Sequence, residues 1–348
     1  AQAVLPLPED LRAEATVLRY DESTGARDVL RQGSNHVECS PRDANGFTRC
    51  WPATSGPWRD LRARLTAEGV TGDEMATRME RAVQAGEVDA PAFGSLAYRL
   101  YDEGDRIQLL WLVLVPGATA RDLGMPTGSQ RDNSLIGRGT PWMMNEGTQG
   151  AHLMVPVNGT SLSNPGEPAA QMDSHAIVDP IIQATLPLPN DLKDGATVST
   201  FDATTGKRTV LRDGSNGLEC RPRDRETGFT RCYHESVWVG RDIAARLRAQ
   251  DRTEEEVAEE MERARADGRV QAATFGSLAY RLFEDDSRIR LLWILRVPGA
   301  TSVELGMPTG PQRDNSLAGM GTPWMMNEGT PGAHLMIPIN GTALSNRH

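Results

Sequence analysis

No stretch of this 348-residue chain is apolar over enough length to cross a bilayer as a helix, which excludes an integral membrane protein of that kind. Basic charge is also missing. The net charge is −10 and the arginines are scattered among acids rather than gathered into a stripe, so nucleic acid is excluded as a partner on electrostatic grounds. The motif inventory is equally thin. There is no glycine-rich phosphate loop opening a helix, no His-Glu-x-x-His, no calcium loop, no Gly-x-Ser-x-Gly elbow and no Cys-x-x-Cys-His for covalent haem. These absences remove the nucleotide-binding, zinc-protease, EF-hand, α/β-hydrolase and c-type cytochrome classes. Histidine is sparse at six and cysteine sparser at four.

What is present is repetition. Leu5-Pro6-Leu7-Pro8 returns as Leu186-Pro187-Leu188-Pro189, and the ten residues from Gly139 to Thr148 return unchanged as Gly321 to Thr330. The offset is 181 residues as far as Asp43/Asp224 and 182 from Gly46/Gly228, so one inserted residue near Glu226 separates two copies of a whole domain. Each copy, at about 165 residues, is long enough to bury roughly 70% of its unfolded surface and to fold without a metal. The expected organisation is a first domain over 1–164, a linker over 165–183 and a second domain over 184–348. Pro165, Pro168 and Pro180 mark the linker, with Ile177, Ile181 and Ile182 able to pack part of it.

Cys39 and Cys50 flank a Pro-Arg-Asp segment, Cys220 and Cys232 flank its copy, and no further ligands accompany either pair to suggest zinc. Each pair reads as a local disulfide and points to an oxidising compartment. The start, Ala1-Gln2-Ala3, reads as the mature end of an exported chain, so a secreted or periplasmic location is expected.

The hydrophobic pattern gives each copy the same order of elements. Ala15–Tyr20 and Arg27–Leu30 flank an Asp-x-x-Thr-Gly turn and predict a hairpin, with further strands at Cys39 and at Phe47–Cys50. Helices follow at Trp58–Ala67 and after the capping box Thr71/Glu74, whose stripe Met75, Met79, Val83 ends at Gly86. Thr253/Glu256, Val257, Met261 and Gly268 repeat this second helix. Arg106–Val115 reads as a central strand, Trp142–Glu146 and Ala151–Val157 as two more, and Asn158-Gly159 as a hairpin turn that also accounts for the glycosylation sequon there. The fold class is therefore α+β: two homologous domains, each a mainly antiparallel sheet with a helical pair inserted between N- and C-terminal strands.

Only His152 and His334 occupy matched histidine positions. Strand alternation puts Leu153, Val155 and Val157 on one face and His152, Met154 and Pro156 on the other, while Trp142, Met144 and Glu146 alternate onto a single face. With the Arg131-Asp132-Asn133-Ser134 loop, the candidate ligand-binding set is Trp142, Met144, Glu146, His152, Met154, Arg131 and Asp132. Its copy is Trp324, Met326, Glu328, His334, Met336, Arg313 and Asp314. The same residue types are compatible with a second packed layer, with a small-molecule pocket, or with copper or non-covalently held haem bound by imidazole and thioether. Ser134, His152 and Asp132, with Ser316, His334 and Asp314, supply the types for hydrolytic chemistry but no nucleophile motif.

Gly33-Ser34-Asn35 with Glu38-Cys39, Leu123-Gly124-Met125-Pro126-Thr127, and the segment from Pro141-Trp142-Met143-Met144 to Ala151-His152-Leu153-Met154-Val155-Pro156-Val157 resemble a group of exported bacterial proteins of unknown function. In that group a single domain ends in a similar Pro-Trp-x-Met…Gly-Thr-Pro…His-x-Met-x-Pro segment, and the doubling is this chain's departure from it. The resemblance implies export and an intact fold, and it carries no reaction. The expectation is an exported protein that binds a small molecule or soft metal ion at one equivalent site per domain. The alternatives are a hydrolase or lyase using the paired histidine with Glu146 or Asp132, and a structural or assembly subunit that contacts another protein.

Overall fold

The computed structural model describes residues 2–102, 107–125, 141–157, 172–285, 287–307 and 323–339. Along the first repeat run α1 (Glu9–Arg12), β1 (Thr16–Tyr20), β2 (Arg27–Arg31), β3 (Val37–Ser40), β4 (Phe47–Pro52), α2 (Gly56–Ala67), α3 (Gly72–Gln84), β5 (Leu96–Tyr101), β6 (Leu109–Leu114), α4 (Ala120–Leu123), β7 (Trp142–Met144) and β8 (His152–Pro156). The second repeat begins with α5 (Pro180–Thr185), α6 (Asn190–Lys193), β9 (Thr197–Phe201), β10 (Arg208–Arg212), β11 (Leu218–Arg221), β12 (Phe229–His234), α7 (Trp238–Arg248) and α8 (Glu254–Ala266). It continues with β13 (Leu278–Phe283), β14 (Leu291–Arg296), α9 (Ser302–Leu305), β15 (Trp324–Met326) and β16 (His334–Pro338).

Two eight-stranded sheets result, ordered β2-β1-β3-β4-β5-β6-β8-β7 and β10-β9-β11-β12-β13-β14-β16-β15. Every pairing is antiparallel except β1 with β3 and β9 with β11. The helical pair lies between the fourth and fifth strands of each repeat, so the fold is α+β in both.

Local chemistry accounts for most boundaries. The Asp21 carboxylate accepts the backbone N–H groups of Ser23 and Thr24 at 3.0 and 2.9 Å, and Gly25 takes a φ of 68°, which closes the first hairpin. A Cβ on Gly25 would lie 2.5 Å from the Arg64 Cα, so glycine lets the turn rest on α2. Cys39 is directly opposite Cys50, and Cys220 opposite Cys232, so each disulfide ties two neighbouring strands.

The second-repeat capping box forms, with the Thr253 hydroxyl accepting from Glu256 N and the Glu256 carboxylate from Thr253 N. The Thr71 side chain makes no such bond. At the next residue Gly72 enters the helix with φ +57°, where the second repeat has Glu254. Met75 and Met79 are buried with Leu65 and Val70, between α2 and α3.

Two compact units form, and neither is a contiguous stretch of chain. Among the described residues, the first contains those up to Thr119, Pro141 to Val157 and Ala300 to Met307. The second contains Ala120 to Met125, Met172 to Gly299 and Pro323 to Ile339. Each unit therefore includes a short helix from the other repeat, α9 in the first and α4 in the second. In the first unit the buried Tyr98 hydroxyl donates to the Gly306 carbonyl at 2.5 Å, and His36 Nε2 lies 3.0 Å from the Met307 carbonyl, which can only accept. In the second, the Tyr280 hydroxyl donates to the Gly124 carbonyl at 2.5 Å. The expected linker ends as structure: Asp179 caps α5 by accepting from Ile181 N and Ile182 N, and α5 packs on β11 and β12. Its buried residues are Ala184 and Thr185, whereas Ile182 is exposed.

Candidate functional site

The matched histidines fall where their strands place them. Trp142 is directly opposite Met154 and Met144 directly opposite His152 on the β7–β8 pair, so these four side chains share one face. Ile107, Leu110, Trp142 and Met154 form a buried cluster there, joined by the partly buried Leu112 and Met144. Ile289, Leu292, Trp324, Met336, Ile294 and Met326 repeat it. With Leu153, Val155 and Val157 also buried, β8 is covered on both faces. Glu146 and Glu328 do not join this face. Their strands stop at Met144 and Met326, Asn145 and Asn327 then adopt φ 54°, and both glutamates are exposed. Arg131, Asp132, Arg313 and Asp314, with Ser134 and Ser316 and both hairpin turns, lie outside the described residues.

Each matched imidazole is held by its own turn. His152 Nδ1 is 2.8 Å from the Gly150 carbonyl and His334 Nδ1 is 2.7 Å from that of Gly332. A carbonyl only accepts, so Nδ1 carries the hydrogen and the lone pair is on Nε2. Burial pushes both pKa values down from the ordinary value, and positive neighbours add to the effect: Arg99 for His152, Arg296 and Arg281 for His334. A depressed folded-state value means that the unfolded chain binds more protons between the folded pKa and about 6.5. Stability should therefore fall as pH drops through that window, to which the likewise depressed His234 also contributes. We expect His152→Gln with His334→Gln to flatten the slope of unfolding midpoint against pH from 7 to 5. An unchanged slope would assign the acid sensitivity elsewhere.

Beside this shared layer the two repeats diverge. In the first unit Glu38 accepts from Arg27 at 2.6 Å and from the buried Arg59, while Arg27 also reaches Asp60 at 2.8 Å and Tyr20 donates to Asp60 at 2.7 Å. The equivalent Glu219 is held by Arg208 at 3.1 Å and by Ser199, and the equivalent of Arg59, Arg241, turns elsewhere. Arg241 donates to the Tyr233 hydroxyl at 2.7 Å, with its guanidinium carbon 3.4 Å from that ring's centre.

Arg241 lines a partly open cavity of about 270 Å³ bounded by α7, α8 and the sheet of the second unit. Arg221, Arg241, Arg248, Arg265 and Arg296 line it, and no carboxylate does. Arg248 and Arg265 are neutralised from outside by Glu254 at 2.7 Å and Glu262 at 2.6 Å. The other three have no carboxylate closer than 3.9 Å among the described residues. Arg221 lies 3.7 Å from the Phe201 ring centre and 3.9 Å from Glu219, while among the described residues Arg296 has no carboxylate at ion-pairing distance. Nε of Arg221 and of Arg241 are buried without an acceptor. Burial first, then the neighbouring Arg241, lowers the Arg221 pKa to about 10, and burial lowers those of Arg241 and Arg296.

This cavity adjoins the matched histidine of its repeat. Arg296 is directly opposite His334 on β14–β16, where Leu114 stands opposite His152, and Gly332, whose carbonyl holds the imidazole, is part of the lining. The charged lining has no counterpart in what the two copies share. Its signal is in what differs: Arg221, Arg248, Arg265 and Arg296 replace Ser40, Thr66, Val83 and Leu114, and Gly240 replaces Trp58. Among the described residues, no three histidines, cysteines or acids gather as a metal site. Neither protein-family descriptions, curated proteins nor solved structures give a match to this chain.

Proposed function

We propose that this is an exported small-molecule-binding protein whose binding site is the cavity between α7, α8 and the sheet of the second unit. The observation that carries the reading is a cavity lined by the one matched position at which tryptophan gives way to glycine. In the first unit Trp58 packs against the Leu65, Val70, Met75 and Met79 cluster, and in the second Gly240 is part of the cavity lining, with Met261 and Val270 packed close to it. Two disulfides agree with an oxidising compartment, as does the resemblance to exported bacterial proteins. No described helix is long and apolar enough to cross a membrane.

The test is native mass spectrometry of the full chain purified from its own compartment. An adduct mass that disappears on denaturation is expected, and it should be lost in Gly240→Trp, which reinstates the first unit's tryptophan, and reduced in Ala244→Leu. Ala244→Leu should keep the parent's thermal midpoint within a few degrees, whereas Gly240→Trp must also displace the Met261 methyl, which lies 2.9 Å from a Cβ placed there. If no adduct is found, or it persists in folded variants of both kinds, the cavity is not the site.

Soft-metal binding is a second reading, favoured by Met144 beside His152 and Met326 beside His334 with the Nε2 lone pairs uncommitted to the Gly150 and Gly332 carbonyls. Elemental analysis of the same preparation separates the two.

A further inference from the structure

We infer that the ligand of the second unit is a small oxyanion-bearing molecule of charge −2 or greater, gripped by Arg221, Arg241 and Arg296, and that the first unit has no equivalent grip. This inference rests on the cavity being the binding site.

Charge bookkeeping around the cavity gives the sign. Of the five lining arginines, Arg248 and Arg265 have close external glutamates, and Arg221 has a long contact of 3.9 Å with Glu219, which Arg208 and Ser199 engage more closely. Three half-buried guanidinium groups thus line one partly open cavity that has no carboxylate in its lining. Gathering like charges in partly desolvated positions is unfavourable unless something of opposite charge completes the set. A chain whose net charge is −10 has ample carboxylate to supply there, yet none lines the cavity.

The geometry gives the group. Guanidinium donors match the paired oxygens of phosphate, sulfate or carboxylate, and Arg221, Arg241 and Arg296 all line the cavity. Phe201 and Tyr233 hold the Arg221 and Arg241 guanidinium groups through their rings, a contact that fixes position without consuming the charge. At about 270 Å³ the space admits an oxyanion with a small organic body.

The first unit is the internal control. It has the same sheet order and the same helical pair, and it carries Ser40, Thr66, Val83 and Leu114 at the four positions where the second has gained arginine. Its remaining arginine of the set, Arg59, is paired with Glu38. The fold therefore does not need these charges.

Isothermal titration calorimetry of the full chain with citrate and with inorganic phosphate, in sodium chloride of matched ionic strength, tests the inference. Expected is one site per chain for at least one of the two probes, weakened tenfold or more by Arg221→Ser and by Arg296→Leu. These are the residues the first unit tolerates at the same places. Arg296→Lys, which keeps charge but not the fork, should fall between, and Arg19→Gln, on the exposed surface of the first unit, should change nothing. Absence of binding by both probes, two equal sites per chain, or equal weakening by Arg19→Gln overturns the inference. If an adduct sensitive to Gly240→Trp is found while neither anion binds, the cavity reading stands and only the anionic ligand falls.

Discussion

Glu38→Gln should lower the stability of the chain by about 3–5 kcal/mol, the range for breaking one partner out of a buried ion pair. The side chains of Arg59 and Glu38 are 5% and 12% exposed, so the loss of the carboxylate charge leaves a nearly buried guanidinium with the Ser55 hydroxyl as its other acceptor. Arg27 loses a bond at 2.6 Å in the same step, although Asp60 still holds it. The cost is largely that of the orphaned charge rather than the intrinsic worth of the pair. Glu38→Gln combined with Arg59→Met should therefore recover most of it. Urea unfolding of both variants checks this, and a single-variant loss below about 1 kcal/mol would mean that water or a neighbour already neutralises Arg59. The equivalent change in the second unit, Glu219→Gln, exposes Arg208 rather than Arg241, because Arg241 has left this glutamate for Tyr233 and the cavity.

Trp111→Ala should cost about 3–5 kcal/mol, whereas Trp111→Phe should cost less than about 1.5 kcal/mol. Trp111 is fully buried, directly opposite Tyr98 on β5 and Val155 on β8, and meets the Tyr98 ring edge-on at 4.9 Å. Alanine would leave a cavity among rigid strand neighbours that cannot close it. Phenylalanine keeps much of the volume and also removes an indole N–H that is buried without an acceptor among the described residues. Trp293, with Tyr280 and Ile337 beside it, should give the same contrast. Similar losses for Ala and Phe at either position would show that shape complementarity of the indole, and not filled volume, holds the sheet centre together.

Much of the architecture was legible in the chain because its causes are local. The Asp21 turn, the stop at Gly86 and the apolar run from Leu109 to Leu114 each depend on residues within a few positions, and each element forms where the pattern puts it. The cysteine pairs are separated by 11 and 12 residues, short enough for the strands between them to set the bridge. Alternation also identified the face shared by Trp142, Met144, His152 and Met154. It failed at Glu146, where a left-handed Asn145 ends the pleat one residue before the glutamate.

The chain by itself thus determined two α+β repeats, their strands and helices, their disulfides and one histidine per repeat in a matched position. Tertiary structure alone decided the membership of each unit, since the Tyr98 hydroxyl finds its acceptor 208 residues away at Gly306. It also decided which arginines meet. Arg221, Arg241 and Arg296 lie on a strand, a helix and another strand, with no sequence spacing in common, and they converge because β11, α7 and β14 fold around one space. Periodicity reports which way a side chain leaves its own element. Only packing among distant elements brings charges together, and here it does so in one repeat of the two.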